Sequence, residues 1–154
     1  MNVRMTRRRL LAAALLLPAH GVLHAANPRQ ELEVWKSPHC GCCGDWVEHL
    51  EQNGFTVKVH TVDDLDAQRR QLGMPARYAS CHTAKVGGYL LEGHVPAADI
   101  RRLLHERPAA LGLAVPGMPV GSPGMDGPAY GGRKDAYSVL LIETGGAARV
   151  FARH

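Results

Sequence analysis

Residues 31–54 read ELEVWKSPHCGCCGDWVEHLEQNG, and the rest of the fold is inferred outward from this stretch. Its first six residues alternate between polar and apolar side chains, which predicts a β-strand that ends before Pro38. Trp46 and Leu50 follow at helical spacing, and Gly54 completes a helix stop signal. Three cysteines of the stretch are therefore expected at the junction between a strand and a helix.

A second strand and a second helix follow along the chain. Residues 55–60 alternate between apolar and polar side chains, as a half-buried strand does. Asp63 or Asp64 is expected to cap a helix that Gly73 ends.

The strongest hairpin signal in the sequence joins residues 80–86 to residues 89–95. The two glycines between them permit the positive φ angles that tight hairpins require, so the two strands should be antiparallel neighbours. Pro96 is expected in the first turn of a third helix, which Pro108 closes. The predicted order of elements is βαβαββα.

The remainder of the chain is an addition to that order. Residues 112–132 are rich in glycine and proline and are predicted to form a loop. Residues 137–142 and 149–152 are strand candidates joined through two glycines, which predicts a C-terminal β-hairpin.

The N-terminal residues 1–26 have the features of a secretory signal peptide, with four arginines, an apolar run and a small-residue end. The apolar run is shorter than the ~20 residues of a membrane-spanning helix, so we expect no membrane anchor once the leader is removed. Residues 6–11 also resemble a twin-arginine signal, and the choice between that route and Sec stays open. We predict one domain, residues 27–154, in the periplasm.

The charge distribution argues against a nucleic-acid partner. Of the 18 Lys and Arg residues four lie in residues 1–26, whereas all 14 Asp and Glu residues follow residue 30. Residues 27–154 therefore carry 14 charges of each sign and lack the basic excess that binds phosphate backbones.

Cys40, Cys42 and Cys43 place three thiols in four positions at a predicted helix start. Free N–H groups and the positive end of the helix dipole stabilise thiolate there, the form that binds metals and attacks disulfides. A dithiol enzyme needs only the C-x-x-C pair, so the third sulfur favours a soft cation such as Cu(I). The alternative is a Cys40–Cys43 disulfide, with Cys42 unpaired or paired to Cys81.

The element order, with a cysteine motif between the first strand and the first helix, resembles the thioredoxin-like fold. This resemblance implies that the loop entering the third strand lies against the motif. Thioredoxins usually place a cis-proline before a threonine there, whereas this chain has His82 before Thr83. Cys81 and His82 are thus candidate metal ligands, although Cys81 as a small apolar core residue remains an alternative and the role of His82 stays open.

The glycine- and proline-rich loop contains the tripeptide Pro-Gly-Met twice, ending at Met118 and Met125. Thioether sulfur prefers Cu(I), and unlike thiolate it forms no disulfides in an oxidising compartment. The two methionines are candidate auxiliary ligands on a lid. The alternative is that they pin the loop to the domain.

Four segments together resemble the CopG-type family of periplasmic copper-resistance proteins: residues 35–43, 80–83 and 92–96, and the Pro-Gly-Met loop. The resemblance runs over residues 32–142. It implies a thioredoxin-like fold, copper at the cysteine cluster, and a role in copper redox handling or in transfer to export machinery. It carries over four cysteines as the ligands, namely Cys40, Cys42, Cys43 and Cys81.

The sequence thus predicts a copper-binding protein that holds one or several Cu(I) ions and exchanges them with periplasmic copper-export or copper-carrier proteins. Whether it also interconverts Cu(I) and Cu(II) as an oxidoreductase stays open. One rival is a thiol–disulfide oxidoreductase acting through Cys40 and Cys43, and another is a structural zinc or iron–sulfur domain. His39, next to Cys40, could bind a metal or lower the pKa of the thiol, and His94 ends the second strand of the hairpin; the roles of both stay open.

Overall fold

The computed structural model describes residues 30–154, so the predicted signal peptide, residues 1–26, lies outside the described residues. Three α-helices occur in this part of the chain: α1 (Gly41–Gln52), α2 (Leu65–Leu72) and α3 (Ala97–Glu106). Within it, no helix has the length and apolar character needed to cross a membrane.

Seven strands form one mixed sheet in the order β2-β1-β3-β4-β5-β6-β7. The strands are β1 (Glu31–Lys36), β2 (Thr56–Thr61), β3 (His82–Val86), β4 (Tyr89–Glu92), β5 (Gly112–Ala114), β6 (Ser138–Ile142) and β7 (Ala148–Arg153). β1 and β2 are parallel, and so are β4 and β5, whereas the other neighbours are antiparallel. The α/β class, the order βαβαββα and the C-terminal hairpin agree with the sequence prediction.

The prediction that residues 112–132 form one loop is wrong at its beginning, because Gly112–Ala114 form β5 between β4 and β6. A Cβ atom at Gly112 would collide with the backbone of Leu90, so glycine is what allows this close approach. Three residues are too short a stretch for alternation to reveal a strand. β5 nevertheless joins the C-terminal hairpin to the rest of the sheet.

The strands of the predicted hairpin are shorter than expected at the end away from the turn. β3 begins at His82 and β4 ends at Glu92, because Gly93, with φ 70°, bends the chain. Cys81 and His94 therefore lie just beyond the paired residues. On α2, the side chain of Asp64 accepts a 2.8 Å hydrogen bond from the Ala67 N–H, which settles the choice of cap between Asp63 and Asp64.

The apolar core lies on both faces of the sheet. On one face, Trp46 of α1 and Ile100 of α3 pack against strand residues that include Leu91. On the other, Met74 and Tyr78 pack against Leu90 and its neighbours. Adjacent strand residues point to opposite faces, so Leu90 and Leu91 belong to different clusters. Each such side chain contributes about 1.5–3 kcal/mol through burial, and the core holds α1 against the sheet.

Candidate metal centre

The structure brings together the four cysteines that the sequence nominated as ligands. Cys40 is the N-terminal cap residue of α1, and Cys42 and Cys43 lie in its first turn. Cys81 reaches them from the segment before β3, and the four sulfur atoms lie within 4.8 Å of one another. Cys43 is fully buried, whereas the other three cysteines of the cluster are partly exposed. The cluster therefore lies at the edge of the core.

The structure contains a disulfide between Cys40 and Cys43, and Cys42 and Cys81 are free. This is the pairing that the sequence left as an alternative to metal binding. Cys42 Sγ lies 3.6 Å from Cys40 Sγ, beside the disulfide. The described conformation is therefore the oxidised one, in which two of the four sulfurs are free to act as thiolate ligands.

Cys81 is partly buried, and its sulfur atom lies beside two imidazole rings. Its Sγ lies 3.1 Å from His94 Nε2 and 3.4 Å from His82 Nδ1. Burial, followed by the neighbouring Cys42, raises the pKa of Cys81 to about 12. Cys81 is accordingly a neutral thiol in this environment, and a bound cation would have to displace its proton.

His94 lies beside these residues, although sequence reasoning left its role open. Its Nδ1 donates a 2.7 Å hydrogen bond to the carbonyl oxygen of Pro123, which leaves the Nε2 lone pair directed at Cys81. Burial lowers the pKa of His94 and keeps the ring neutral. The hairpin register could have revealed it, because Val86 pairs with Tyr89 and continuing that register places His94 opposite Cys81.

His82 is fully buried between two aromatic neighbours. Its ring centroid lies 4.2 Å from that of Trp46 and 5.1 Å from that of His94. Burial lowers the pKa of His82 to about 3, so the ring is neutral. Its Nε2 has no hydrogen-bond partner among the described residues, which is unusual for a buried polar atom.

A buried ion pair holds the segment before Cys81. Arg69 is 3% exposed and Glu92 fully buried, and the guanidinium donates to Glu92 Oε1 and to the carbonyl oxygen of Ser80. Glu92 Oε1 also accepts a 2.7 Å hydrogen bond from the Ser80 N–H. Burial raises the pKa of Glu92, which the Ser80 and Arg69 contacts oppose. Both backbone groups of Ser80 are thereby fixed.

The glycine- and proline-rich loop packs over the start of α1. Gly124 comes so close to the helix that a Cβ atom there would lie 2.7 Å from the carbonyl oxygen of Cys42 and 2.8 Å from the Trp46 nitrogen. The hydroxyl of Ser80 donates to the carbonyl oxygen of Gly117 at the other end of the loop. The loop is thus a cover over the cysteine motif.

The two candidate methionines have different surroundings. Met118 is 51% exposed, whereas Met125 is 8% exposed and its sulfur accepts a 3.2 Å hydrogen bond from the Tyr130 hydroxyl. Met125 is therefore enclosed and bonded to another residue of the same loop, while Met118 projects into solvent. His39 is also exposed.

The fold and the four converging sulfurs define an α/β protein with a candidate site for a soft metal. Residues 78–125 match the family model described as "Protein of unknown function, DUF411". Two solved structures, named "Copper resistance protein copG- Form 2" and "Copper resistance protein copG- Form 1", are each 48% identical to this chain with a TM-score of 0.76. Each alignment covers 82% of this chain and 98% of the other.

The chain belongs to the CopG copper-resistance protein family, as the sequence resemblance predicted. No curated protein sequence is significantly similar to it.

Proposed function

We propose that the reduced protein binds Cu(I) through Cys40, Cys42, Cys43 and Cys81 in the periplasm. There it would contribute to copper resistance by copper redox handling or by transfer to export machinery. The convergence of the four sulfurs within 4.8 Å carries this proposal. Soft thiolates select Cu(I), and several sulfurs this close to one another suit either one ion or several bridged ions.

The residues around the cluster fit a copper site better than a purely structural one. The large apolar clusters on both faces of the sheet give the domain a core that does not depend on a metal. The cover formed by the loop limits water at the cysteines without closing the site, since Cys40, Cys42 and Cys81 remain partly exposed. Copper bound there would supply one-electron chemistry between Cu(I) and Cu(II).

Three further residues are proposed as auxiliary ligands: His82, Met118 and Met125. The Nδ1 atom of His82 already faces the Cys81 sulfur. Met118 offers an exposed thioether that could receive an incoming ion, while Met125 would first have to release Tyr130.

We also propose that residues 31–106 are a thioredoxin-like unit. The support is the strand order β2-β1-β3-β4, with β1 parallel to β2 and β3 antiparallel to both its neighbours. In such a unit the segment before β3 meets the start of α1, which agrees with the contact of Cys43 Sγ, 3.4 Å from the carbonyl oxygen of Cys81.

The proposal is tested by anaerobic Cu(I) titration of the fully reduced protein against a strong chelator. Cys42→Ser should weaken binding by at least about tenfold, equivalent to about 1.4 kcal/mol. His60→Gln is a suitable control, because His60 bonds Glu33 and stacks on Trp35. Wild-type protein that loses Cu(I) to the chelator, or a Cys42→Ser variant that binds as tightly as wild type, would exclude the cysteine copper site.

A second candidate function is thiol–disulfide exchange, and the Cys40–Cys43 disulfide at the start of α1 favours it. In this case Cys42 and Cys81 are dispensable. Cys42→Ser and Cys81→Ser should then retain exchange with a dithiol substrate, whereas Cys40→Ser should abolish it. A protein that exchanges disulfides normally in both variants and fails to hold Cu(I) would be an oxidoreductase.

A further inference from the structure

The sheet ends at β2, whose outer edge pairs with no other strand among the described residues. None of the residues of β2 is buried, and Val59 in its second half is 45% exposed. We propose that this edge pairs with the same edge of a second copy of the chain and forms an antiparallel dimer with two-fold symmetry. The inference does not depend on the copper proposal.

Two hydrogen bonds determine which main-chain groups of β2 are free to pair. The Thr56 N–H donates to the Gln30 carbonyl oxygen at 3.1 Å. The Val62 N–H donates to that of Lys36 at 3.0 Å, so both ends of β2 face β1 with even-numbered residues. Because successive residues of a strand direct their N–H and C=O groups to opposite neighbours, the odd-numbered residues face the free edge. They are Val57, Val59 and Thr61.

These directions select one register for the second copy. An antiparallel pair centred on Val59 lets each outward-facing residue exchange two hydrogen bonds with an outward-facing residue of the other copy. A pair centred on Lys58 or on His60 leaves one of these residues unpaired and sets two identical cationic or imidazole side chains opposite each other. In the favoured register the two Val59 side chains meet, and the contact covers the most exposed apolar side chain of the strand.

The charged groups beside this register are complementary. Lys58 would lie opposite His60 of the other copy, on the face of the sheet away from the Val59 contact. His60 Nε2 lies 2.9 Å from Glu33 Oε2, and the Glu33 side chain is 40% exposed. The Lys58 ammonium group therefore approaches a carboxylate that the imidazole holds in place. The two-fold axis repeats this contact and brings no like charges into opposition.

The opposite edge of the sheet, at β7, is unsuited to such pairing. A register shift interrupts its ladder with β6 between Val139 and Leu140. Arg149 and Arg153 are exposed near the exposed Val150. Bulges and charges are devices by which edge strands avoid pairing with another chain. β2 instead pairs with β1 in unbroken register and contains neither proline nor glycine.

The dimer would be transient and would leave both cysteine motifs accessible. β2 contributes 6 residues, whereas a stable interface has about 20–30 residues a side. A dissociation constant between about 1 µM and 1 mM is therefore expected. The cysteine motif follows the end of β1, which is parallel to β2. Antiparallel pairing thus places the two motifs at opposite ends of the joined sheet.

The test is sedimentation equilibrium of the untagged protein from about 10 µM to about 1 mM. A metal chelator and a thiol reductant exclude association through copper or through intermolecular disulfides. The wild type should pass from monomer to dimer as its concentration rises. Val59→Pro removes an N–H that β1 does not use, and Val59→Lys opposes two ammonium groups. Each should raise the dissociation constant at least about tenfold.

The matched control is Val150→Lys, the same substitution at a valine that is 40% exposed on the other edge strand. It should dimerise as the wild type does. Thermal unfolding checks that each variant is folded. Amide hydrogen exchange then locates the contact, because the Val57, Val59 and Thr61 amides should gain protection with concentration while the Lys58 amide, which faces β1, keeps the same protection.

Three results would overturn the inference. One is a wild type that stays monomeric at about 1 mM. Another is a dimer that neither Val59→Pro nor Val59→Lys weakens. The third is protection of the Val59 amide that does not change with concentration, which would mean that another segment of the same chain covers the edge. None of these results bears on the Cu(I) titration, which decides the copper proposal separately.

Discussion

The two sulfur-bearing regions of the molecule are built in different ways. The start of α1 supplies Cys40, Cys42 and Cys43 from four consecutive positions, and a disulfide joins two of them. The segment before β3 supplies Cys81, whose partners His82 and His94 lie on the two sides of a hairpin. One region is defined by local sequence, and the other by contacts between distant segments.

This difference implies a division of roles. The number of free thiols at the start of α1 depends on whether Cys40 and Cys43 are joined in a disulfide. Cys81 takes no part in the disulfide, and a buried ion pair, the β3–β4 hairpin and the covering loop hold its surroundings from separate directions. Variants that disturb the start of α1 but not the segment before β3, or the reverse, therefore test whether the two regions have separate roles.

The largest effect is expected from Arg69→Ala. The substitution leaves the buried Glu92 without its cation and frees the backbone of Ser80, so the free energy of unfolding should fall by about 3–5 kcal/mol. Chemical denaturation of the metal-free protein measures it. The control is Glu106→Ala, which removes an exposed ion pair with Arg102 that contributes about 1 kcal/mol or less. Equal losses in the two variants would contradict a special role for the buried pair.

Gly124→Ala should detach the loop from the cysteine motif. The new Cβ would crowd Cys42 and Trp46, and φ of 84° is unfavourable for alanine. Crowding and backbone strain together should lower the free energy of unfolding by about 3 kcal/mol. Cys42 should also react faster with an alkylating agent.

The matched control is Gly127→Ala, three residues along the same loop. Its Cβ would meet nothing within 4 Å, and its φ of −68° suits alanine. Alkylation of Cys42 at the wild-type rate in Gly124→Ala would show that the loop is not its cover.

Reduction of the disulfide should have a smaller effect, which is confined to the α1 region. Opening so short a loop costs about 2 kcal/mol in the chain-entropy model. Under denaturing conditions the untreated protein should show two reactive thiols, those of Cys42 and Cys81, and the reduced protein four. Four thiols before reduction would mean that the pair is normally open and that the cysteine cluster is ready for Cu(I).

The smallest change in stability is expected from Met118→Leu. This side chain is exposed, so the free energy of unfolding should change by less than about 0.5 kcal/mol. Cu(I) affinity should nevertheless fall by about threefold if its thioether serves as an auxiliary ligand. Met125→Leu is the matching variant of the other methionine. It should reduce the free energy of unfolding, because it loses the hydrogen bond from Tyr130. Unchanged affinity in Met118→Leu would remove this residue from the ligand set.

Local patterns in the sequence predicted a large part of the fold. The alternation in residues 31–36, the two-glycine turn after Val86 and the cap at Asp64 each express a preference that acts over a few residues. β5 was missed because three buried residues at Gly112–Ala114 have no periodicity of their own and become a strand only between two others. The grouping of Cys81 with the α1 cysteines followed from the family resemblance rather than from spacing.

The sequence by itself determined which donor atoms the protein carries: three sulfurs at a helix start, a Cys-His pair before a strand and a methionine loop. Only the tertiary structure decided that His94 faces Cys81, that Arg69 and Glu92 clamp Ser80, and that the two methionines have different surroundings. The physical reason is the distance along the chain over which each interaction acts. Turn, cap and periodicity preferences act between near neighbours, whereas burial, ion pairing and ligand geometry depend on which distant segments the packed core brings together.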